Sequence, residues 1–561
     1  MKREVRKSLS NGRFILFHRV PEIILLISFL LLFFYLLFQI TLLGYGRDQG
    51  IYAVVARTIL DGGAPYRDAW DFKPPGIYFI YALSTILFGD VLHAVRIFEA
   101  LCFLSLAGAF IIYIRRHFMS WQAGIIAAAL AALAHVQLDF WETGQPESFG
   151  GILIMWALVC ITYRPAHNMS LINLRRTLAW GGCGLLFSLA GLLKPFLAGG
   201  LLTSLAYVAW KTATASGEKD KARTLRYLLG AIVIGAALPL FVCGIYLFQK
   251  HALQDFYETF FVFAPRYASI SFSAAKLPER FFYTIVLWLL EFSILSFAGI
   301  LFTLLLPLRH SQEREGFIHA GGALLFPALG IVLQGKMFPY HFGALIPCIS
   351  LLAGWGIWKV WTGSRIKWVV LLAIAVLLYL QMELHGVNKQ NADRLKVFMD
   401  SDPCARDKIS CKYDVDALVN RQASEWLLQN TPQSSPIYIW GFEPIIYILA
   451  DRPCASRYIY NVPQRAAWTK EQARKILMNE LAEHPPSVII IAHNDRLAWV
   501  TGSELDSAEE LERFSELSAF LKKHYEQVVS FGKLDIYRQK TITHSSKKPS
   551  LLQVQGLFNN Y

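Results

Sequence analysis

The chain has 561 residues, a mean hydropathy of +0.39 and only 17% charged residues, against roughly 25% for a soluble chain. Its apolar residues come in long blocks, which excludes a purely soluble globular protein and points to a polytopic α-helical membrane protein. The net charge of +13 does not signal nucleic acid, because Lys and Arg gather in alternate loops between the apolar blocks, as cytoplasmic loops do.

In chain order, eleven spans are predicted near 22–43, 93–114, 121–138, 149–163, 178–193, 196–210, 225–248, 282–307, 317–334, 342–361 and 367–383. The first, Ile23–Leu43, covers the roughly 30 Å hydrocarbon core at about 1.5 Å per residue. It is followed by Gly44-Tyr-Gly-Arg-Asp48 rather than a small-residue cleavage site, so it reads as an uncleaved span. Residues 1–21 are basic, and so is every second loop after them: Arg115-Arg116, Arg164 with Arg175 and Arg176, Lys211 to Arg226, Arg309 with Arg314, and Lys359 to Lys367. The alternate loops 139–148 and 335–341 hold at most one Lys. This positive-inside pattern predicts a multi-pass membrane protein with a cytoplasmic N-terminus and, for an odd number of spans, an extracytoplasmic C-terminus.

The outer side then carries 44–92, 139–148, 249–281 and everything after about 384. In the first of these, Asp48–Leu60 reads as an amphipathic helix closed by Gly62-Gly63, and Pro75–Phe88 as an apolar helix too short to span. Both are expected to lie along the outer membrane surface. After 383 the pattern changes. Pro436–Gly441 and Ser487–His493 read as short strands, while 415–429 and 507–523 have helical periodicity. A soluble α/β domain is expected over 384–540, with a mobile tail at 541–561. Cys404 and Cys411 are spaced to close a small loop if that side is oxidising. Asn168-Met-Ser170 fits a glycosylation sequon but falls on the cytoplasmic side.

The ionisable residues left unexplained as surface charge all fall on the outer side: Asp48, Asp71, Lys73, Glu142, Glu147, Lys194, Lys336 and His341. Such groups in or beside spans are costly and mark function. Asp48 suits a helix N-cap and equally a general base. In Lys73-Pro74-Pro75 the lysine precedes a helix start, where cationic charge opposes the helix dipole unless an anion is present. Lys194-Pro195 repeats the arrangement between two short spans, with a snorkelling lysine as the alternative. Lys336 and His341 flank Met-Phe-Pro-Tyr340, and Glu142 and Glu147 line the second outer loop. No Walker loop, no GxSxG, no HExxH and no metal-type Cys/His spacing occurs. No cofactor is indicated, and a divalent metal is left open.

Three runs resemble the N-terminal signature of GT-C fold glycosyltransferases: Gly46-Arg-Asp48-Gln-Gly-Ile-Tyr52-Ala, Pro65-Tyr-Arg-Asp-Ala-Trp-Asp71-Phe-Lys73-Pro-Pro-Gly76 and Ala94-Val-Arg96. The branch is the bacterial one related to protein O-mannosyltransferases and the lipid A aminoarabinose transferase. Gln334-Gly-Lys336-Met-Phe-Pro-Tyr340-His341, and Trp440-Gly-Phe-Glu443-Pro with Tyr447, are similar to the same branch. The resemblance implies a polyprenyl-phosphate sugar as donor and a lipid, glycan or protein as acceptor. It also implies Asp48 as base, Lys73 at the donor phosphate, and inversion at the anomeric carbon. Lys194, Lys336 and His341 would assist at the phosphate, and Tyr52, Asp71, Glu142, Glu147 and Tyr340 would line the acceptor or sugar pocket. The family often has Asp-Glu where this chain has Asp48-Gln49, so a second carboxylate of the kind metal binding uses is missing there. A transporter or flippase of lipid-linked glycans is the alternative, and a catalytically dead scaffold a third.

Overall fold

A computed structural model describes residues 2–163, 174–214, 221–270, 276–292, 294–305, 307–400, 403–411 and 415–540. The sequon, the tail from 541 and the side chain of Cys404 lie outside the described residues.

The membrane part opens with α1 (Lys2–Thr41), then α2 (Arg47–Leu60) and α3 (Gly76–Phe88) of the first long loop, α4 (Val91–Phe118), α5 (Gln122–Gln137) and α6 (Pro146–Ile161). It continues through α7 (Leu174–Leu193), α8 (Gly200–Thr214) and α9 (Lys221–Gln249). The third outer segment forms α10 (Leu253–Tyr257), a π-helical turn (Glu258–Phe263) and α11 (Ala264–Ser269). Then come α12 (Leu277–Phe292), α13 (Ile294–Leu305), α14 (Ser311–Gln334), α15 (Ile346–Gly363) and α16 (Lys367–Leu384). Among the described residues, six helices are long and apolar enough to cross a membrane: α1 over Arg19–Thr41, α4, α7, α9, α14 and α16. The chain is thus a multi-pass membrane protein. The other five predicted spans are helical too, on α5, α6, α8, α12–α13 and α15. α5 is Ala-rich and buried along most of its length, because small side chains let α1, α4 and α15 approach it closely.

After α16 the chain runs through α17 (Val387–Met399) and α18 (Pro403–Ile409) into an α/β module: α19 (Ala417–Asn430), β1 (Ile437–Trp440), α20 (Ile445–Leu449), α21 (Val462–Arg465), α22 (Lys470–Glu483) and β2 (Val488–Ala492). α23 (Ala498–Thr501), α24 (Ser507–Glu512), α25 (Ser515–His524), β3 (Tyr525–Phe531) and β4 (Leu534–Gln539) complete it. The sheet order is β1-β2-β4-β3. β1 and β2 are parallel, with Ile437 opposite Val488, and β4 runs antiparallel to both β2 and β3. β1 and β2 are buried throughout, as continuous apolar runs under covering helices must be.

The helix predicted to lie on the membrane surface at 48–60 is instead interior. α2 buries Arg47 and Gln49–Ala56, held between α3 below and α20 of the C-terminal module above. Gly50 permits the upper contact: a Cβ there would stand 2.9 Å from the Ile445 amide nitrogen. α3 keeps Ile86 and Leu87 exposed near its end, and its Gly76 sits against the Leu192 carbonyl at the end of α7. That approach brings the Lys73 loop beside Lys194.

Candidate active site

The site is built at the start of α2. Gly46, not Asp48, is the N-cap, and its amide donates to Gln49 Oε1 at 2.8 Å. Asp48 stands in the first turn, where the helix dipole favours a carboxylate, and its side chain is released from capping. It accepts from Gln145 Nε2 at 3.1 Å and lies 3.7 Å from Lys73 Nζ. Tyr52, one turn on, donates to Gln145 Oε1 at 2.9 Å. Gln145 thereby ties Asp48 and Tyr52 to the second outer loop.

That loop is fixed from below. Gln49 Nε2 donates to the Phe140 and Trp141 carbonyls, each at 3.1 Å. Arg96, fully buried, donates to Thr143 Oγ1 at 2.9 Å and to the Phe140 carbonyl at 3.1 Å. Its neighbour Glu99 receives the Gly144 amide at 2.6 Å. The two loop carboxylates are consequently buried: Glu142 accepts from the Tyr340 amide at 3.2 Å, and Glu147 pairs with Lys194.

Tyr340 joins the lysines. Its hydroxyl meets Lys73 Nζ at 3.4 Å. Its ring lies 5.2 Å from the Lys73 ammonium and 5.4 Å from that of Lys194, within cation–π range. Lys194 also donates to Gln334 Oε1 at 2.8 Å. His341 Nε2 is 3.9 Å from Glu147. Burial first, then the charges of Lys194, Lys73 and Lys336, push the imidazole well below its ordinary value, which favours its neutral form. A neutral His341 can donate a hydrogen bond but brings no cation to a phosphate. Its Nδ1 and Glu147 Oε2 are buried without protein partners.

Two predicted residues stand apart. Asp71 is 1% exposed and accepts from Tyr78 at 2.7 Å and Tyr460 at 2.6 Å. Burial raises its carboxyl beyond what those two hydroxyls draw it down. It fastens the Lys73 loop to the C-terminal module. Lys336 lies 3.9 Å from the Tyr267 ring and 2.5 Å from the Trp499 carbonyl. Burial and then repulsion by Lys73 and Arg280 lower it to about 8.

Sequence reasoning assigned no role to Gln145 or Gln334, and it gave Glu443 only a place in a motif. In space Glu443 accepts from Arg47 at 2.9 Å, Lys533 at 2.7 Å and Asn420 at 2.8 Å. Burial pushes its carboxyl up, but Arg47, Lys533 and the hydrogen bonds outweigh that and hold it below its ordinary value. Among the described residues no three His, Cys, Asp or Glu side chains gather to hold a metal.

Residues 72–242 match the family described as dolichyl-phosphate-mannose-protein mannosyltransferase. No curated protein sequence matches the chain. Among solved structures, ArnT from Cupriavidus metallidurans bound to undecaprenyl phosphate aligns with a TM-score of 0.54 at 14% identity, over 92% of this chain and 97% of that one. ArnT in the apo state aligns at 0.53 and 13%, over 92% and 98%. At such identity the likeness is one of fold. The family match runs from the Lys73 loop through most of α9, under a third of the chain, and the fold of ArnT is shared along nearly the whole length.

Proposed function

We propose that the protein moves a sugar from a polyprenyl-phosphate donor to an acceptor at the extracytoplasmic face of the inner membrane. The observation that carries this reading is the Asp48–Lys73 pair at 3.7 Å, an acid and a base side by side under the C-terminal module. The acceptor hydroxyl loses its proton to the Asp48 carboxylate while its oxygen attacks the anomeric carbon. The bond from that carbon to the phosphate oxygen breaks, and polyprenyl phosphate leaves with the electron pair. Lys73, with Tyr340 and Lys194 behind it, stabilises the developing charge. Displacement in one step inverts the anomeric centre. Glu142 and Glu147 position Tyr340 and Lys194, and Tyr52 with Gln145 orients Asp48.

The donor class is supported by the family's description, which names a dolichyl-phosphate sugar, and by the undecaprenyl phosphate bound to ArnT. In this reading residues 1–383 form a membrane domain of eleven spans, 384–540 an extracytoplasmic domain, and the N-terminus is cytoplasmic. The basic alternate loops support that orientation.

The test is transfer in proteoliposomes, with synthetic polyprenyl-phosphate sugars and native membrane lipid extracts. Release of polyprenyl phosphate with a newly glycosylated product, lost in Asp48→Asn, is the expected result. Donor crossing the bilayer without any transfer would replace the enzyme reading with a transporter.

A further inference from the structure

On the far side of the Lys73 loop lies a cleft of about 100 Å³ between three segments distant in sequence. Tyr66 and Trp70 come from the first outer loop, Asp255, Glu258 and Phe263 from the third, and Arg457 with Gln472 from the C-terminal module. We propose that this cleft is an acceptor subsite and that it takes a neutral or amino-bearing saccharide unit; the inference rests on the glycosyltransferase reading above.

Its walls have the composition that sugar recognition needs. The Trp70 ring meets Phe263 at 4.8 Å and Tyr460 at 5.6 Å, and its amide is anchored on the Arg457 carbonyl at 2.7 Å. The rings are packed against one another and close the floor of the cleft, while the Asp255 and Glu258 carboxylates and the Gln472 amide at its rim can meet saccharide hydroxyls. Charge sets the class. Arg457 is answered by Glu480 at 2.6 Å and Asp255 at 3.4 Å, and Glu258 adds a further carboxylate at the rim. With carboxylates in excess the cleft repels phosphorylated or uronic units and accepts neutral or cationic ones.

Two backbone features mark the same place. Glu258 and Phe263 are five residues apart, which in an α-helix sets side chains about 140° apart around the axis. The π-helical turn over Glu258–Phe263 brings both to the cleft; π turns occur mostly at functional sites. Tyr66 holds φ at 71°, an outlier for a bulky residue. It lines the cleft while its hydroxyl donates to the Lys73 carbonyl at 2.9 Å. Trp70 and Lys73 are three residues apart, at most about 11 Å of chain. One short loop therefore separates the cleft from the reacting pair, which suits the second unit of an acceptor glycan.

The test uses the full chain in lipid nanodiscs and saturation-transfer NMR. The probes are neutral trisaccharides of glucose, mannose and N-acetylglucosamine, a glucosamine trimer and a uronic-acid trimer. At least one neutral or amino-bearing probe is expected to bind saturably and the uronic trimer to fail. The double variant Glu258→Ala, Gln472→Ala should weaken binding at least tenfold with an unchanged thermal midpoint. Binding of the uronic trimer, no binding of any neutral or amino-bearing probe, or full binding in the double variant overturns the proposal. Polyprenyl phosphate binding, followed on the same preparation, reports separately on the donor site. Its absence would sink the function proposed above while leaving the saccharide result to stand.

Discussion

Asp48 and Lys73 hold each other in the resting site, so each masks the other's chemistry. In the proposed reaction a donor phosphate would compete with Asp48 for Lys73, and a shift of that contact would free the carboxylate to take a proton. Asp48→Asn is therefore expected to lower kcat by a factor of about 10²–10⁴, the usual worth of a positioned base. Affinity for polyprenyl phosphate should be kept or improved, because Lys73 loses its competitor. Steady-state transfer and equilibrium lipid binding measure the two effects separately. Lys73→Ala should raise donor KM at least tenfold. Tyr340→Phe removes only one neutral hydroxyl, a contribution of about 1 kcal/mol, and should raise donor KM roughly fivefold. Some of this was legible in the residues. Lys73-Pro74-Pro75 announces a cation before a helix start, and acids with bases on one membrane face announce a pocket. Gln145 was not legible, because an uncharged amide in a loop carries no local signal; its part appears only when the second loop folds over α2.

At the scale of elements, α2 and α3 were placed within a residue by periodicity and by their Gly and Pro punctuation. Their setting was not, since an amphipathic pattern tells which face is buried but not whether lipid or protein covers it. Gly50 is the witness: it reads as an ordinary helix glycine, yet it marks where α20 touches backbone to backbone. Gly50→Ala would force α2 and α20 apart and is expected to destabilise the fold by about 1–3 kcal/mol, seen as a lower thermal midpoint and a weaker interaction of Asp48 with its partners. The β3–β4 hairpin was also missed. Its two-residue turn at Gly532-Lys533 is a recognisable signal, with Gly532 at φ 50°, but β3 is a half-exposed edge strand with little apolar alternation. The π turn has no sequence signature at all, being set by what packs around it.

For the molecule as a whole, the C-terminal module is joined to the helix that carries Asp48. Arg47 and Glu443, 4% and 1% exposed, pair across the junction, 396 residues apart in sequence. No reading of local pattern finds a contact of that separation. Glu443→Ala leaves the Arg47 guanidinium buried without its carboxylate, a change that typically costs about 3–5 kcal/mol. A large fall in thermal midpoint and loss of transfer are expected together. The pH dependence has a definite sign. Because Glu443 is held below its ordinary value, its contribution is complete above the unfolded carboxyl pKa, near 4.5, and is lost as pH falls through the lower folded value. The wild type should lose thermal stability more steeply below pH 4.5 than Glu443→Gln does.

The Tyr340 ring, flanked by the ammonium groups of Lys73 and Lys194 at 5.2 and 5.4 Å, bears on turnover. A donor phosphodiester carries one negative charge, whereas the polyprenyl phosphate left after transfer carries up to two near neutral pH. In the proposed reaction these two ammonium groups, each already facing a carboxylate, Asp48 and Glu147, would attract the spent carrier more strongly than the loaded one. On that reading exit of the lipid is expected to limit the cycle, and added polyprenyl phosphate should compete with donor at concentrations below the donor KM. The rate of the proposed transfer in a membrane would be set by how fast the used carrier is drawn away.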